Sequence, residues 1–411
     1  MVNLQKERPS KHLHFPKSQW ILLAGILFIA ATIRSPLTSV GPIIGSIRDQ
    51  LQISNSLAGF LTTIPLLAFA IVSPFAPRIS KRYGLAPTLF YSMILLLAGV
   101  LMRSAGSSTL LLIGTFLIGV AIAFGNVLLP SLLKLSFPLH IGLMTGLYSV
   151  SMNISATLAS GIAAPIANNT SYGWQGALGV WGIITFIAVI VWIPQVRKKR
   201  VVEKEIVKNL KVRPTIPLWR SPIAWSVTFF MGLQSFLFYT TSSWMPVVLQ
   251  TTGLTDEAAG WMLSLVQLSQ LPVVFIIPVI ADKVKNQRGL VTAVFACYVI
   301  GYGGVQFGSE NFTALWMIFI GLGGGASFGL AMMFFTLRSS TPEEAASLSG
   351  MAQSVGYMLA AIGPVLFGSL HDYTGSWTAP LYIFLVVAFL LFLSGLSAGK
   401  NRYIFPNKKM P

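Results

Sequence analysis

Apolar residues in this chain fall in long unbroken blocks, with neither the strict alternation of a strand nor the single stripe of a surface helix. A helix rises about 1.5 Å per residue, so about 20 apolar residues cross the hydrocarbon core of a bilayer. Blocks of that size lie near 19–45, 56–75, 85–104, 109–133, 142–167 and 175–195. A second set lies near 221–249, 257–280, 289–308, 313–337, 346–369 and 378–399. The pattern predicts an all-α integral membrane protein of twelve transmembrane helices. The polar breaks are short except for 196–220, which divides the chain into six-helix halves at 19–195 and 221–399. Polar ends at 1–18 and 400–411 flank the halves. The first block exceeds a signal-peptide core and lacks a small-residue cleavage pattern, so it is expected to be retained.

Composition sharpens this reading. Charged residues are 9% of the 411, against about 25% in soluble domains, and hydrophobic residues are 54%. A soluble enzyme and a disordered chain are both excluded by that ratio. The net charge of +17 would point to nucleic acid in a soluble protein. Here placement explains it. Twelve spans put 25 of the 28 basic residues on one face, nine of them between Arg197 and Arg220. Arg48 and Arg103 fall opposite, and Arg34 lies within a span. Basic loops face the cytoplasm, so both termini are expected there, in a plasma (inner) membrane protein with no nucleic-acid partner. The stretch 196–220, with RKKR at 197–200, reads as a cytoplasmic linker drawn to anionic headgroups. Cys297 is the single cysteine and can form no disulfide within the chain.

The halves repeat one another at an offset of about 201–204 residues. Ala58-Gly59 matches Ala259-Gly260, Pro77 matches Pro278, and Lys81-Arg82 matches Asp282-Lys283. Gly146 matches Gly350 and Trp174 matches Trp377. A duplicated six-helix unit places a substrate path between the halves.

Chemistry inside the spans is sparse. All eleven acidic residues lie in loops or at span ends. There is no GxxxxGK[ST] phosphate loop, and no Cys, His and carboxylate set has metal-ligand spacing. The chain is therefore read as a non-enzyme without cofactor or metal. The run GLGGGASFG at 321–329 is shaped like a dinucleotide fingerprint, but inside an apolar span small residues serve close helix packing. Arg34 is the sharpest feature. A charge at mid-span costs at least about 2.5–3.5 kcal/mol, and no intramembrane carboxylate is available to pair with it. It either bonds freed backbone carbonyls or snorkels, or it marks a site whose counter-charge is the substrate. Pro36, Pro130 and Pro364 each remove a backbone hydrogen bond at membrane depth, tolerated only inside protein or along a watery cavity. Asn126, Tyr148, Asn153, Gln234, Tyr239, Gln267, Gln353 and Tyr357 lie at similar depth. Singly they serve as interhelical glue; together they predict a neutral hydrogen-bonding cavity with one fixed positive charge. Trp244 and Trp261 are aromatic walls or interface anchors.

Several of these segments resemble the cyanate permease and nitroimidazole transporter family of the major facilitator superfamily. They are TIRSPLTSVGP at 32–42, GNVLLPSLLK at 125–134, MTGLYS at 144–149, FMGLQSFLFYTTSSWMP at 230–246 and LSGMAQSVGYMLAAIGP at 348–364. The resemblance runs from about residue 20 to 395. It implies a twelve-helix secondary transporter for small molecules, with members linked to cyanate-like anions and nitroimidazole-type compounds. One departure stands out. The superfamily's loop between helices 2 and 3 usually carries an Asp-Arg pair and then Gly, whereas SKRYG at 80–84 has Lys81 in the Asp position, beside Arg82. The repeat-related Asp282-Lys283 keeps the acid. Asp282 is thus expected to hold a cytoplasmic latch, on a basic group or a helix N-terminus.

The functional expectation is alternating access about a mid-depth site, by a monomer, with the bilayer and a small molecule as partners. Uptake of a small polar or anionic, cyanate-like substrate is the first reading. Efflux of neutral nitroimidazole-like heterocycles is the alternative. A membrane sensor or scaffold would want a sizeable soluble domain, which the longest polar segment is too short to form.

Overall fold

The computed structural model describes residues 17–53, 55–209 and 218–405. Expectations resting on 1–16, 210–217 and 406–411, and on side chains of 197–209, lie outside the described residues. The first half comprises α1 (Lys17–Thr38), α2 (Ile44–Leu51), α3 (Asn55–Val72), α4 (Ala76–Tyr83) and α5 (Leu85–Arg103). It continues with α6 (Ser108–Ser136), α7 (Ile141–Asn169), α8 (Gly173–Gly179) and α9 (Trp181–Asn209). The second half comprises α10 (Pro222–Thr251), α11 (Asp256–Lys283), α12 (Arg288–Phe307), α13 (Thr313–Leu337), α14 (Pro342–Thr374) and α15 (Thr378–Ala398). No strand occurs among the described residues.

Eleven helical segments are long and apolar enough to cross a membrane. A bent pair, α3 with α4, makes a twelfth. The outward faces are apolar. Ile183, Phe186, Ile190 and Ile193 form an exposed stripe on α9 at helical spacing, as do Tyr382, Val386, Phe389 and Leu393 on α15. In water such stripes would be a liability, but against lipid tails they cost nothing.

Three boundaries differ from the pattern. Span 2 does not stop at 75: it turns by 57° and continues as α4. Pro74 and Pro77 lack the N–H groups needed to carry the α3 ladder through the turn, and Pro77 instead opens α4, where that N–H is not required. Arg78, Lys81 and Arg82 therefore sit on a helix rather than a loop. Lys81 and Arg82 occupy its last turn, where cations complement the carbonyl end of the helix. The first span breaks after Thr38, and a turn at Gly41–Ile43 leads into α2. Helix α9 runs on to Asn209, so the first part of the expected linker is helical.

The end of the bundle that carries α4, the α11–α12 connection and the α13–α14 connection holds most of the described basic residues. It is called the basic end below. Within the second half α10 packs on α14, and α11 on α13. The halves meet along α7 with α11 and along α3 and α6 with α14. The hydrogen bonds joining them cluster at the basic end and at mid-depth. Ser131 Oγ donates to the Pro342 carbonyl at 2.6 Å, and Ser354 Oγ to that of Ala70 at 2.5 Å. Close backbone approach requires glycine here. A Cβ on Gly142 would stand 2.5 Å from the Pro278 carbonyl, and one on Gly146 2.8 Å from that of Phe275.

Candidate substrate site

Arg34 projects from α1 into a cavity of about 370 Å³ between the halves. Asn153 reaches it from the middle of α7. The second half supplies the rest: Gln234, Ser235, Phe238 and Tyr239 from α10, Gln270 from α11, Gly324 and Phe328 from α13, and Tyr357 from α14. No carboxylate is among these lining residues. The Arg34 guanidinium carbon lies 5.4 Å from the ring centroids of both Phe238 and Phe328, within cation–π range. Among the described residues it has no hydrogen-bond or carboxylate partner. Its donor fork is thus held between two aromatic faces and left available, a geometry suited to planar anionic or strongly polarised groups.

The other polar groups are fixed by local bonds. Asn153 Nδ2 donates to the Ser149 carbonyl at 2.8 Å, one turn back on α7, which fixes the amide in place at the cavity wall. Gln234 Nε2 donates to Ser235 Oγ at 2.7 Å. Tyr239 and Tyr357 meet edge to face at 6.4 Å, and Tyr357 also packs on Phe69 of the first half at 4.9 Å.

Five of the ten expected binding residues thus line this cavity: Arg34, Asn153, Gln234, Tyr239 and Tyr357. Gln267 lines an adjoining cavity and accepts from Gln270 Nε2 at 2.9 Å. The remaining four stand outside the lining. Asn126 is buried in α6. Tyr148 is buried between the halves, its hydroxyl 3.5 Å from Met332 Sδ. Gln353 donates to Ser349 Oγ at 2.8 Å, one turn nearer the basic end. Trp244 turns into its own half: its Nε1 donates to the Pro364 carbonyl at 2.8 Å, and its ring packs on Trp377 at 5.3 Å. The indole therefore occupies the carbonyl of one of the three mid-span prolines. The carbonyl of Pro36 is similarly taken, by Arg103 Nη1 at 2.6 Å. Pro130 is buried within a continuous α6. Trp261 is 66% exposed and lies outside the lining.

Sequence reasoning missed Ser235, Phe238, Gln270, Gly324 and Phe328. Gln270 had a signal, since it lies one turn from Gln267 on the same face of α11. Phe238 and Phe328 had none, because an aromatic residue in an apolar span looks like every other. The glycine run of α13 does pack closely. A Cβ on Gly321 would come within 2.4 Å of the Val266 carbonyl, and one on Gly325 within 2.6 Å of that of Gln270. Gly324, between them, faces the cavity instead. Among the described residues no group of three or more His, Cys, Asp or Glu side chains is placed to share a metal ion.

At the basic end, Asp282 Oδ2 accepts from the backbone N–H of Gly142 at 3.0 Å. Gly142 lies in the first turn of α7, so the carboxylate of one half sits on a helix N-terminus of the other. Lys134, counted in the sequence only as one basic residue, makes the complementary contact. Its Nζ donates to the Thr336 and Ser339 carbonyls, each at 2.5 Å, at the C-terminal end of α13. Lys81, Arg82 and Lys283 are exposed, with the Arg82 guanidinium 5.4 Å from the Tyr83 ring.

A family model described as Major Facilitator Superfamily matches residues 21–362 and again 248–400. The chain belongs to the major facilitator superfamily. Within that superfamily it groups with the cyanate and nitroimidazole transporters. It is 39% identical over 388 residues to the 2-nitroimidazole transporter of Escherichia coli, covering 94% of this chain and 98% of that protein. It is 25% identical to the cyanate transport protein of the same organism, with 87% and 91% covered. An uncharacterised transporter of Bacillus subtilis is 46% identical, with 98% of both chains covered. Solved structures of the proton:xylose symporter XylE share the fold, with TM-scores of 0.78 and 0.75 at 12% and 13% identity. The first covers 92% of this chain and 95% of that one, the second 95% and 98%. As a superfamily member, the chain is a multi-pass membrane transporter of small molecules.

Proposed function

We propose that this transporter moves a small, planar, polar or anionic compound by alternating access, with Arg34 as the substrate's counter-charge. One observation carries the reading: a guanidinium held between Phe238 and Phe328 in a central cavity, with no carboxylate in the lining. The aromatic faces of Phe238, Phe328, Tyr239 and Tyr357 in the lining favour a flat substrate, such as a single aromatic or heteroaromatic ring. Uptake remains the direction we favour. Efflux of a neutral heterocycle is the second reading; its substrate class, though not its direction, is supported by the 39% identity to a 2-nitroimidazole transporter. There Arg34 would polarise a ring nitrogen or nitro group.

The basic end is read as cytoplasmic, with both termini there, in the plasma membrane. The cavity is complete within one chain, so a monomer suffices. With the halves joined at the basic end, the conformation is one closed to the cytoplasm. Asp282 on the α7 N-terminus and Lys134 on the α13 C-terminus are the proposed latches of that state.

The test is a thermal-shift panel on purified protein, because a ligand that binds only the folded state raises its stability. Cyanate, nitrate and small aromatic carboxylates are set against neutral nitroimidazoles, with Arg34→Ala alongside. Stabilisation by anions that disappears in the variant is expected. Stabilisation by neutral heterocycles alone, unchanged in Arg34→Ala, would overturn the charge pairing and favour the efflux reading.

A further inference from the structure

A second cavity of about 260 Å³ adjoins the Arg34 site. Phe238, Gln270 and Gly324 line both cavities, one residue from each of α10, α11 and α13. The annex begins one ring away from the guanidinium, since Phe238 is itself in contact with Arg34. It extends entirely into the second half and reaches α12, where Tyr298 and Tyr302 form its far wall. Those two rings stack at 5.6 Å and 12°.

Its hydrogen-bonding capacity is specific. The Tyr298 hydroxyl meets Ser327 Oγ at 2.9 Å, and Ser327 Oγ donates to the Gly324 carbonyl at 3.0 Å, so both protons of that pair are committed. The Tyr302 hydroxyl and Thr241 Oγ1 lie 2.8 Å apart and share one proton between them, which leaves the other O–H uncommitted. Gln267 spends its oxygen on Gln270 and keeps its amide N–H groups. No charged residue lines the annex. It therefore offers aromatic walls, hydroxyl and amide donors, and no counter-charge.

We propose that the annex is a second subsite, taking the uncharged hydrogen-bonding end of an aromatic anion whose charged group sits at Arg34. The inference rests on the Arg34 reading above and extends it to substrate shape. It selects aromatic monocarboxylates with a polar group opposite the carboxylate over those without one.

Gly324 provides the test. A Cβ there would meet Gln270 side-chain atoms at 3.5–3.7 Å, ordinary contact, so Gly324→Ala fits while narrowing the passage between the cavities. Alanine also favours the helix. Benzoate and 4-hydroxybenzoate are titrated calorimetrically into the purified full chain, its Gly324→Ala variant, and Arg34→Lys. The wild type is expected to prefer 4-hydroxybenzoate by about tenfold or more. Gly324→Ala, at a position shared by both linings, is expected to abolish that preference. The double variant Thr241→Val with Tyr302→Phe removes both hydroxyls together and leaves no orphan, and is expected to abolish it too. If Arg34→Lys weakens both ligands but neither annex variant discriminates between them, the annex proposal fails and the Arg34 site stands. If the wild type binds neither carboxylate, or Arg34→Lys changes nothing, both fail.

Discussion

At the scale of single residues, what is missing from the cavity matters as much as what is present. Gradient-driven carriers that move protons do so through buried carboxylates or histidines. The lining here holds one guanidinium, three amides, hydroxyls and aromatic rings. A guanidinium is a fixed charge and a poor proton carrier. Transport is therefore read as facilitated diffusion, exchange, or symport in which the substrate itself carries the proton. In proteoliposomes, an imposed pH gradient is expected to leave a non-titratable substrate at its equilibrium distribution. Accumulation of that substrate several-fold above equilibrium would show a proton-carrying group elsewhere in the chain.

At the scale of elements, α13 divides its glycines by direction. Gly321 and Gly325 are one helical turn apart and let α13 lie directly on the α11 backbone. Gly324 turns toward the cavities. Neighbouring positions should therefore respond in opposite ways. Gly325→Val forces a side chain against the Gln270 backbone, which cannot yield as a flexible side chain would, and is expected to cost about 1–3 kcal/mol or more. Gly324→Ala is expected to be neutral or stabilising by up to about 1 kcal/mol. Thermal unfolding in one detergent compares them, and equal losses would refute this division of labour. The bend between α3 and α4 is a second element-level feature. It brings Ser73 and Pro77 to the Gly350 face of α14, where a Cβ would stand 2.8 Å from the Ser73 carbonyl.

At the scale of the whole molecule, the closed basic end rests on two oppositely charged contacts between the halves. A carboxylate sits on a helix N-terminus and an ammonium on a helix C-terminus. Each complements the partial charge it meets. Hydrogen bonds to charged groups contribute about 1.5–3 kcal/mol, so removing either shifts a two-state equilibrium by roughly tenfold or more. Asp282→Asn and Lys134→Met are expected to raise the population open at the basic end. Spin-label distances between the basic ends of α7 and α11, measured in a Cys297→Ser background, would report it. An unchanged distance distribution in both variants would remove these contacts from the gating mechanism.

The sequence by itself determined that the chain is an all-helical membrane protein of eleven to twelve spans. Lipid forces each span to satisfy its own backbone, so the signal is local and long. It also determined that Arg34 is exceptional, because one charge in an apolar block needs no neighbour to be noticed. Only the tertiary structure decided which polar residues meet it. Tyr357 and Gln353 are one turn apart on α14, yet one lines the cavity and the other bonds Ser349. Trp244 looked like a cavity wall and instead caps the carbonyl of Pro364. The bend at Pro74 was written in proline chemistry, but its 57° angle, and the α14 surface it meets, depend on the partner half. Helical rotation and the packing between halves set which face of a buried helix sees the cavity, and a span apolar on every side carries no stripe from which to read it.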